Sequence, residues 1–324
     1  MTHFVLKRFV IGREPVLDLT RDQYDEVIQA QKRLAVYLAL EDLFNLMMEN
    51  YEEFERELLA LTLREATYAD SHEWTGHGNS LPVIARRFAN MLTTAHGYCD
   101  QAPHLVSTLY GAESTQLETA KAHFRQEHST VLGYRVCAEL RRHMQHRGTA
   151  VHSAWARSSR LIRPDGRVVI THVVEPEANL NRLSEDPKFK RLVLSEMESG
   201  SRKTVIGELA RDVRGFSRDY ISALGRVHIQ LRDQFGPDTA AADAVVSGAI
   251  ERFASLPERP SIVGLAAMEL NERGLLEGRR PTFISSYSTD RRRLLEKRNR
   301  FPTHFGMHVV TNEVEPRTGN DTVA

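Results

Sequence analysis

The longest regular pattern in the chain runs from Arg21 to about Thr67, where Tyr24, Val27, Ile28, Leu34, Phe44, Met47, Tyr51, Phe54, Leu58 and Leu61 recur at steps of three, four and seven. That period lines up one face of an α-helix, and no proline or glycine interrupts it. Ahead of it, Phe4 to Ile11 is rich in Val, Ile and Phe and ends at Gly12. This predicts a short strand that needs a partner from elsewhere in the chain.

A second helix is predicted over Leu81 to Tyr98, with Pro82 in its first turn and Ile84, Phe88, Leu92 and Ala95 turned inward. Tyr98-Cys99-Asp100 and then Pro103 are expected to end it. A brief helical piece with Leu105, Leu109 and Tyr110 precedes Gly111, and one further helix carries Ala120 through to His146 or Arg147, with Gly148 just past its end as the stop.

Beyond Gly148 the period shortens. Pro164-Asp165-Gly166 lies between two β-rich runs and predicts a hairpin at about 159–174. After a polar segment from Glu175 to Pro187, Val205 to Phe235 returns to helical spacing. Gly236-Pro237-Asp238 reads as domain punctuation. Past it lie two helical patterns, Thr239 to Leu256 and Ser261 to Leu276, a basic helix around Asp290 to Arg300, and a polar, mobile tail over the last dozen residues. The expected protein is mainly α, with a helical core and hairpin over 1–235 and a helical C-terminal extension over 236–324.

Charge adds little globally, since 43 basic side chains balance 43 acidic ones. Any nucleic-acid contact must therefore come from a local patch. The acidic face of the first helix, with Glu41, Asp42, Glu49, Glu52, Glu53 and Glu55, is expected to face water or to dock a basic partner. The run Arg291, Arg292, Arg293, Lys297, Arg298 and Arg300 is likewise a solvated face or a phosphate contact. The two cysteines, Cys99 and Cys137, stand in no CxxC or zinc-finger spacing, which suits a reducing compartment. No secretory signal and no membrane span is legible, so a cytoplasmic location is expected.

Local charge changes the picture between Arg135 and Arg167. That segment holds eight arginines, Arg135, Arg141, Arg142, Arg147, Arg157, Arg160, Arg163 and Arg167, no lysine, and only Glu139 and Asp165 as acids. Guanidinium forks suit bidentate phosphate recognition, and histidine supplies a group that titrates near neutrality. On a wheel of about 100° per residue, Val136, Cys137, Leu140 and Met144 face the core, Arg135, Arg142 and His146 cluster opposite, and Arg141 sits on the boundary. Such a helix is either an ordinary surface helix or a phosphate site.

Arg141-Arg142-His143-Met144-Gln145-His146 resembles the R-x4-6-H motif of the HEPN superfamily, and the wider stretch YRVCAELRRHMQHRG resembles a pattern of uncharacterised bacterial members. In those, a preceding helix of the type R-x2-N-x-L ends in Tyr-x-Asp, matched here by Arg87, Asn90, Leu92, Tyr98 and Asp100. Arg142 stands where the family usually has a polar residue, often Asn. The resemblance implies an antiparallel helical bundle and metal-independent cleavage of RNA in a toxin-antitoxin or antiphage setting. It also implies a homodimer that places two motifs face to face, and a possible antitoxin or defence partner. By motif the catalytic pair is Arg141 and His146; by wheel geometry Arg142 shares a face with His146 more closely. Arg135, Gln145, Arg147 and His152 are expected to contact substrate.

No cofactor or metal is expected. His72, Glu73 and His77 lie in a glycine-rich loop without preorganised spacing. His143, His146 and His152 with Glu127 or His128 match no zinc pattern. No P-loop, dinucleotide fingerprint or GxSxG motif occurs. Trp155 is a candidate for base stacking or for burial under the hairpin, and His228 for a hydrogen-bonded packing residue.

Overall fold

A computed structural model describes residues 2–10, 12, 14–67, 80–204, 206–258, 260–277, 280–284, 287–298 and 303–308. The histidine-containing loop at 71–79 and the expected mobile tail lie outside the described residues. Two long helices organise the rest. Helix α1 (Arg21–Thr67) keeps its predicted bounds and, at 1.5 Å per residue, is about 70 Å long. A capping box starts it: Thr20 Oγ1 accepts the Gln23 N–H at 3.2 Å, and Gln23 Oε1 accepts the Thr20 N–H at 3.1 Å.

Helix α2 (Leu81–Tyr110) returns along α1, with Arg87 paired to Glu53 near its start and the Tyr110 hydroxyl 2.7 Å from that of Tyr37 near its end. The expected stop at Asp100 and Pro103 does not occur. Ala102 and Val106 carry the buried stripe onward, and their packing outweighs the hydrogen bond that Pro103 cannot make. The next predicted helix is two, α3 (Thr115–Thr130) and α4 (Leu132–His146), separated by extended backbone at Val131. The break brings Gly133 against the chain's second long helix: a Cβ there would lie 2.6 Å from both the Phe216 carbonyl oxygen and Asp219 Cβ. Only glycine permits that approach.

The hairpin forms β3 (Ser153–Ile162) and β4 (Val168–Asn179), longer than expected, with Ile162 opposite Val168 and Gly166 at φ 81° in the turn. Two short helices follow, α5 (Leu180–Ser184) and α6 (Arg191–Glu198). Strands β5 (Arg202–Lys203) and β6 (Leu209–Asp212) complete a sheet of order β3-β4-β6-β5. The helix expected from Val205 therefore begins only at Arg214, because Leu209–Asp212 pairs with the base of the hairpin.

That helix, α7 (Arg214–Ala254), runs straight through Gly236-Pro237-Asp238, so the expected boundary at 235 and 236 falls inside it. Buried Phe235, Thr239, Ala242 and Val246 continue its stripe, and Asp238 is tied down by the Tyr37 and Tyr110 hydroxyls at 2.6 and 2.7 Å and by Arg33 at 2.8 Å. Helix α7 lies antiparallel to α1: Arg33 meets Asp238, Glu41 meets Arg232, and Glu55 meets Arg218.

The helix expected over Ser261 to Leu276 is instead strand β7 (Leu265–Leu270). It supplies the partner that β1 (His3–Arg8) required, in a sheet of order β2-β1-β7-β8 with β2 (Val16–Leu19) and β8 (Thr282–Phe283). Leu6, Leu265 and Ala267 of this sheet pack on Tyr24 and Val27 of α1 and on Phe253 of α7. The main core lies further along, among α1, α2, α3, α4 and α7.

The acidic face of α1 is largely engaged within the chain. The basic helix, α8 (Tyr287–Lys297), brings Lys297 to Glu49 at 2.5 Å, and Arg298 just beyond it pairs with Glu52. The protein is mainly helical, with two small antiparallel sheets among the described residues. No helix in them is long and apolar enough to cross a membrane.

Candidate functional site

Helix α4 owes its position to Val136, Cys137 and Leu140, all fully buried, and to the close approach at Gly133. Its C-terminal turn reaches the surface between the start of the hairpin and α5. His146 is exposed and makes no hydrogen bond or ion pair among the described residues.

The candidate arginines separate into two groups. Arg142 is tied to Glu139, with Nη2 2.6 Å from Oε2, and also donates to the Lys188 carbonyl. Arg135 bonds Glu196 at 2.8 Å and the Ser129 carbonyl at 2.9 Å, and Arg157 meets Glu175 at 2.6 Å. These guanidinium groups already hold carboxylates, Glu139 from the same helix and Glu175 and Glu196 from further along the chain, so the local excess of positive charge is partly offset in space. Arg141 differs, because its Nε is buried with no hydrogen-bond partner. It lies beside His96 of α2, which burial chiefly holds below its ordinary range; Asp100, 3.1 Å away, opposes that shift and Arg141 adds to it. Five positions apart, Arg141 and His146 project about 140° from one another on α4.

One turn before His146 lies a buried polar contact. The His143 Nδ1 is 3.0 Å from Asp186 Oδ2, and both side chains are nearly excluded from solvent. Burial raises the Asp186 carboxyl, but the His143 contact, the Lys188 N–H and nearby Arg142 outweigh it and hold the group below the ordinary carboxylate range. An ionised Asp186 accepts from Nδ1–H, which leaves the lone pair of a neutral His143 on Nε2. Sequence reasoning passed over this pair. Asp186 is separated from His143 by the whole hairpin, and its burial is not legible in the polar, proline-containing stretch that carries it.

His152 is brought to the same place. Its ring centroid is 6.4 Å from that of His143, and its Nδ1 accepts the Asn179 N–H at 3.1 Å. Burial, then Arg182 and His143, push His152 down to about 4. It is neutral at physiological pH with its proton on Nε2, and so can donate a hydrogen bond but not take a proton there. Arg147, at the end of α4, is exposed and 3.9 Å from Asp186. Gln145 is exposed beside His146. The structure thus gathers His143, His146, Arg147 and His152 around one end of α4, and leaves Arg135, Arg141 and Arg142 on its flanks.

The other candidates have structural settings. Arg202 lies over the Trp155 ring at 5.0 Å from its centroid. His228 is fully buried, stacked on Phe44 at 3.8 Å, between the Tyr98 hydroxyl at 2.9 Å and Glu41 at 3.1 Å, which makes it the packing residue expected. Cys99 and Cys137 are free thiols, and Cys137 is buried. Among the described residues no group of three or more His, Cys, Asp or Glu is placed to hold a metal ion. No family model, no curated protein and no solved structure matches the chain.

Proposed function

We propose that the chain is a metal-independent endoribonuclease of HEPN type, with its site at the C-terminal end of α4. The observation that carries this reading is an exposed, unpartnered His146 one turn from a His143 ring backed by Asp186, with Arg147 and Arg141 on either side. Cleavage proceeds by attack of a ribose 2′-hydroxyl on the adjacent phosphorus, which closes a 2′,3′-cyclic phosphate and breaks the P–O5′ bond; His146 moves the proton between the attacking hydroxyl and the departing 5′-oxygen, and arginine offsets charge on the phosphate. Arg142 is engaged by Glu139 and the Lys188 carbonyl, so the motif pair Arg141 and His146 is the better assignment for catalysis. The angle between them on one helix suits a site shared by two copies, in which Arg141 of one protomer serves His146 of the other. A homodimer follows, in a toxin or antiphage setting with a restraining partner.

A second reading is a helical scaffold or binding module without catalysis. It draws on the pairing of Arg135, Arg142 and Arg157 with carboxylates. Incubation of the full chain and its His146→Ala variant with RNA in EDTA separates the two. The ribonuclease cuts and the variant does not, whereas a scaffold leaves RNA intact in both.

A further inference from the structure

The α4 motif ends at His146, yet the polar surface around it does not. Asn179 joins two elements here: its backbone N–H donates to His152 Nδ1 at 3.1 Å, and its side-chain Oδ1 accepts the Arg182 N–H at 3.1 Å as the cap of α5. Arg182 is therefore held beside His152. One turn later comes Asp186, which sits 3.9 Å from Arg147 and holds His143. The Arg182 guanidinium is exposed and has no ion-pair partner among the described residues, in contrast to Arg135 and Arg142.

We propose that Arg182 and Arg147, with the Nε2–H of His152, form a phosphate-binding pocket outside the α4 motif. The inference rests on the ribonuclease reading for the identity of the natural ligand, a phosphate of RNA, and not for the pocket itself. All three groups are donors. Of the carboxylates around them, Asp186 already accepts from His143 and from the Lys188 N–H at 2.9 Å, and Glu208 accepts from the Asn179 side chain, so both guanidinium groups keep donors for a further anion. Guanidinium forks bind phosphate oxygens in pairs, and a neutral imidazole N–H adds a donor whose availability does not change across the physiological pH range. In the proposed reaction the pocket holds the phosphate next to the scissile one, and Arg182 acts as a binding residue rather than a catalytic one.

The test uses the full-length chain with ¹⁵N-labelled histidine, titrated at pH 7 with inorganic phosphate and separately with adenosine 5′-monophosphate. The His152 and His143 ring signals shift saturably, and Arg182→Ala weakens both ligands at least tenfold with an unchanged circular dichroism spectrum. Arg160→Ala, an exposed hairpin arginine without an ion pair among the described residues, binds as the wild type does. Absence of a saturable shift, or equal affinity in the Arg182 variant, overturns the proposal. The two readings fail separately: phosphate binding that depends on Arg182 in a chain that leaves RNA intact keeps the pocket and removes the ribonuclease. RNA cleavage and phosphate binding at wild-type levels in the Arg182 variant do the reverse.

Discussion

His143 on α4 meets Asp186, 43 positions further along the chain, at 3.0 Å between Nδ1 and Oδ2. The contact pins the segment after α5 against the end of α4 and fixes which ring nitrogen of His143 carries the proton. Hydrogen bonds to a charged group contribute about 1.5 to 3 kcal/mol each, and Asp186→Ala removes this one together with that from the Lys188 N–H. We expect that loss in chemical denaturation of the variant, together with reduced RNA cleavage. Wild-type stability would show that the contact contributes nothing.

Glu41 is the anchor of the deepest polar network. It is buried on α1, accepts both fork nitrogens of Arg232 at 2.6 and 2.9 Å, and contacts His228 at 3.1 Å. Breaking a buried pair from one side costs about 3 to 5 kcal/mol, because the other charge is left uncompensated. Glu41→Ala should lower the unfolding free energy by that amount, read from the urea midpoint. A shift under about 1 kcal/mol would place the network nearer solvent than its burial implies.

Gly133→Ala tests the helix crossing that places the site. The new methyl group meets the Phe216 carbonyl oxygen and Asp219 Cβ at 2.6 Å, and backbone on one side cannot give way cheaply. Overpacking of this kind costs about 1 to 3 kcal/mol. Differential scanning calorimetry should register a lower melting temperature, and an unchanged one would mean that α4 and α7 separate freely.

Acid should destabilise the protein in two stages. His152 is held at about 4 while the unfolded chain takes up a proton near about 6.5, so the folded state binds fewer protons in between. Stability therefore falls as pH drops from about 6.5 toward 4, and fully buried His228, also lowered, adds in the same direction. Burial raises the Glu41 carboxyl, but His228 and Arg232 outweigh it and hold the group at about 2. Its contribution is present above the unfolded value of 4.5 and is lost as pH falls below that toward 2. Denaturation midpoints from pH 7 to 4 should decline, with a shallower slope in His152→Gln; a flat profile in the wild type contradicts the buried neutral imidazoles.

Much of the helical frame was legible because α1 and the first half of α7 carry long, uninterrupted apolar stripes. The errors came where packing overrode local signals. Pro103 and Pro237 both sit inside helices whose neighbouring residues are buried, and the Leu265–Leu270 segment became a strand because β1 needed a partner. The candidate site was half visible. His146, Arg147 and His152 fall close together in sequence, but the carboxylates that occupy Arg135 and Arg142, and the Asp186 that orients His143, arrive from beyond the hairpin or from within α4 itself. Local charge counting sees Glu139 but not Glu196 or Asp186.

The most direct measurement is the chemistry of RNA ends produced in EDTA by the wild type, His146→Ala, Arg141→Ala and an equimolar mixture of the two variants. The account predicts 2′,3′-cyclic phosphate ends from the wild type, none from either variant alone, and partial recovery in the mixture, where half of the heterodimers' sites regain an intact pair. Cleavage by His146→Ala at the wild-type rate, or intact RNA with every protein, would contradict it.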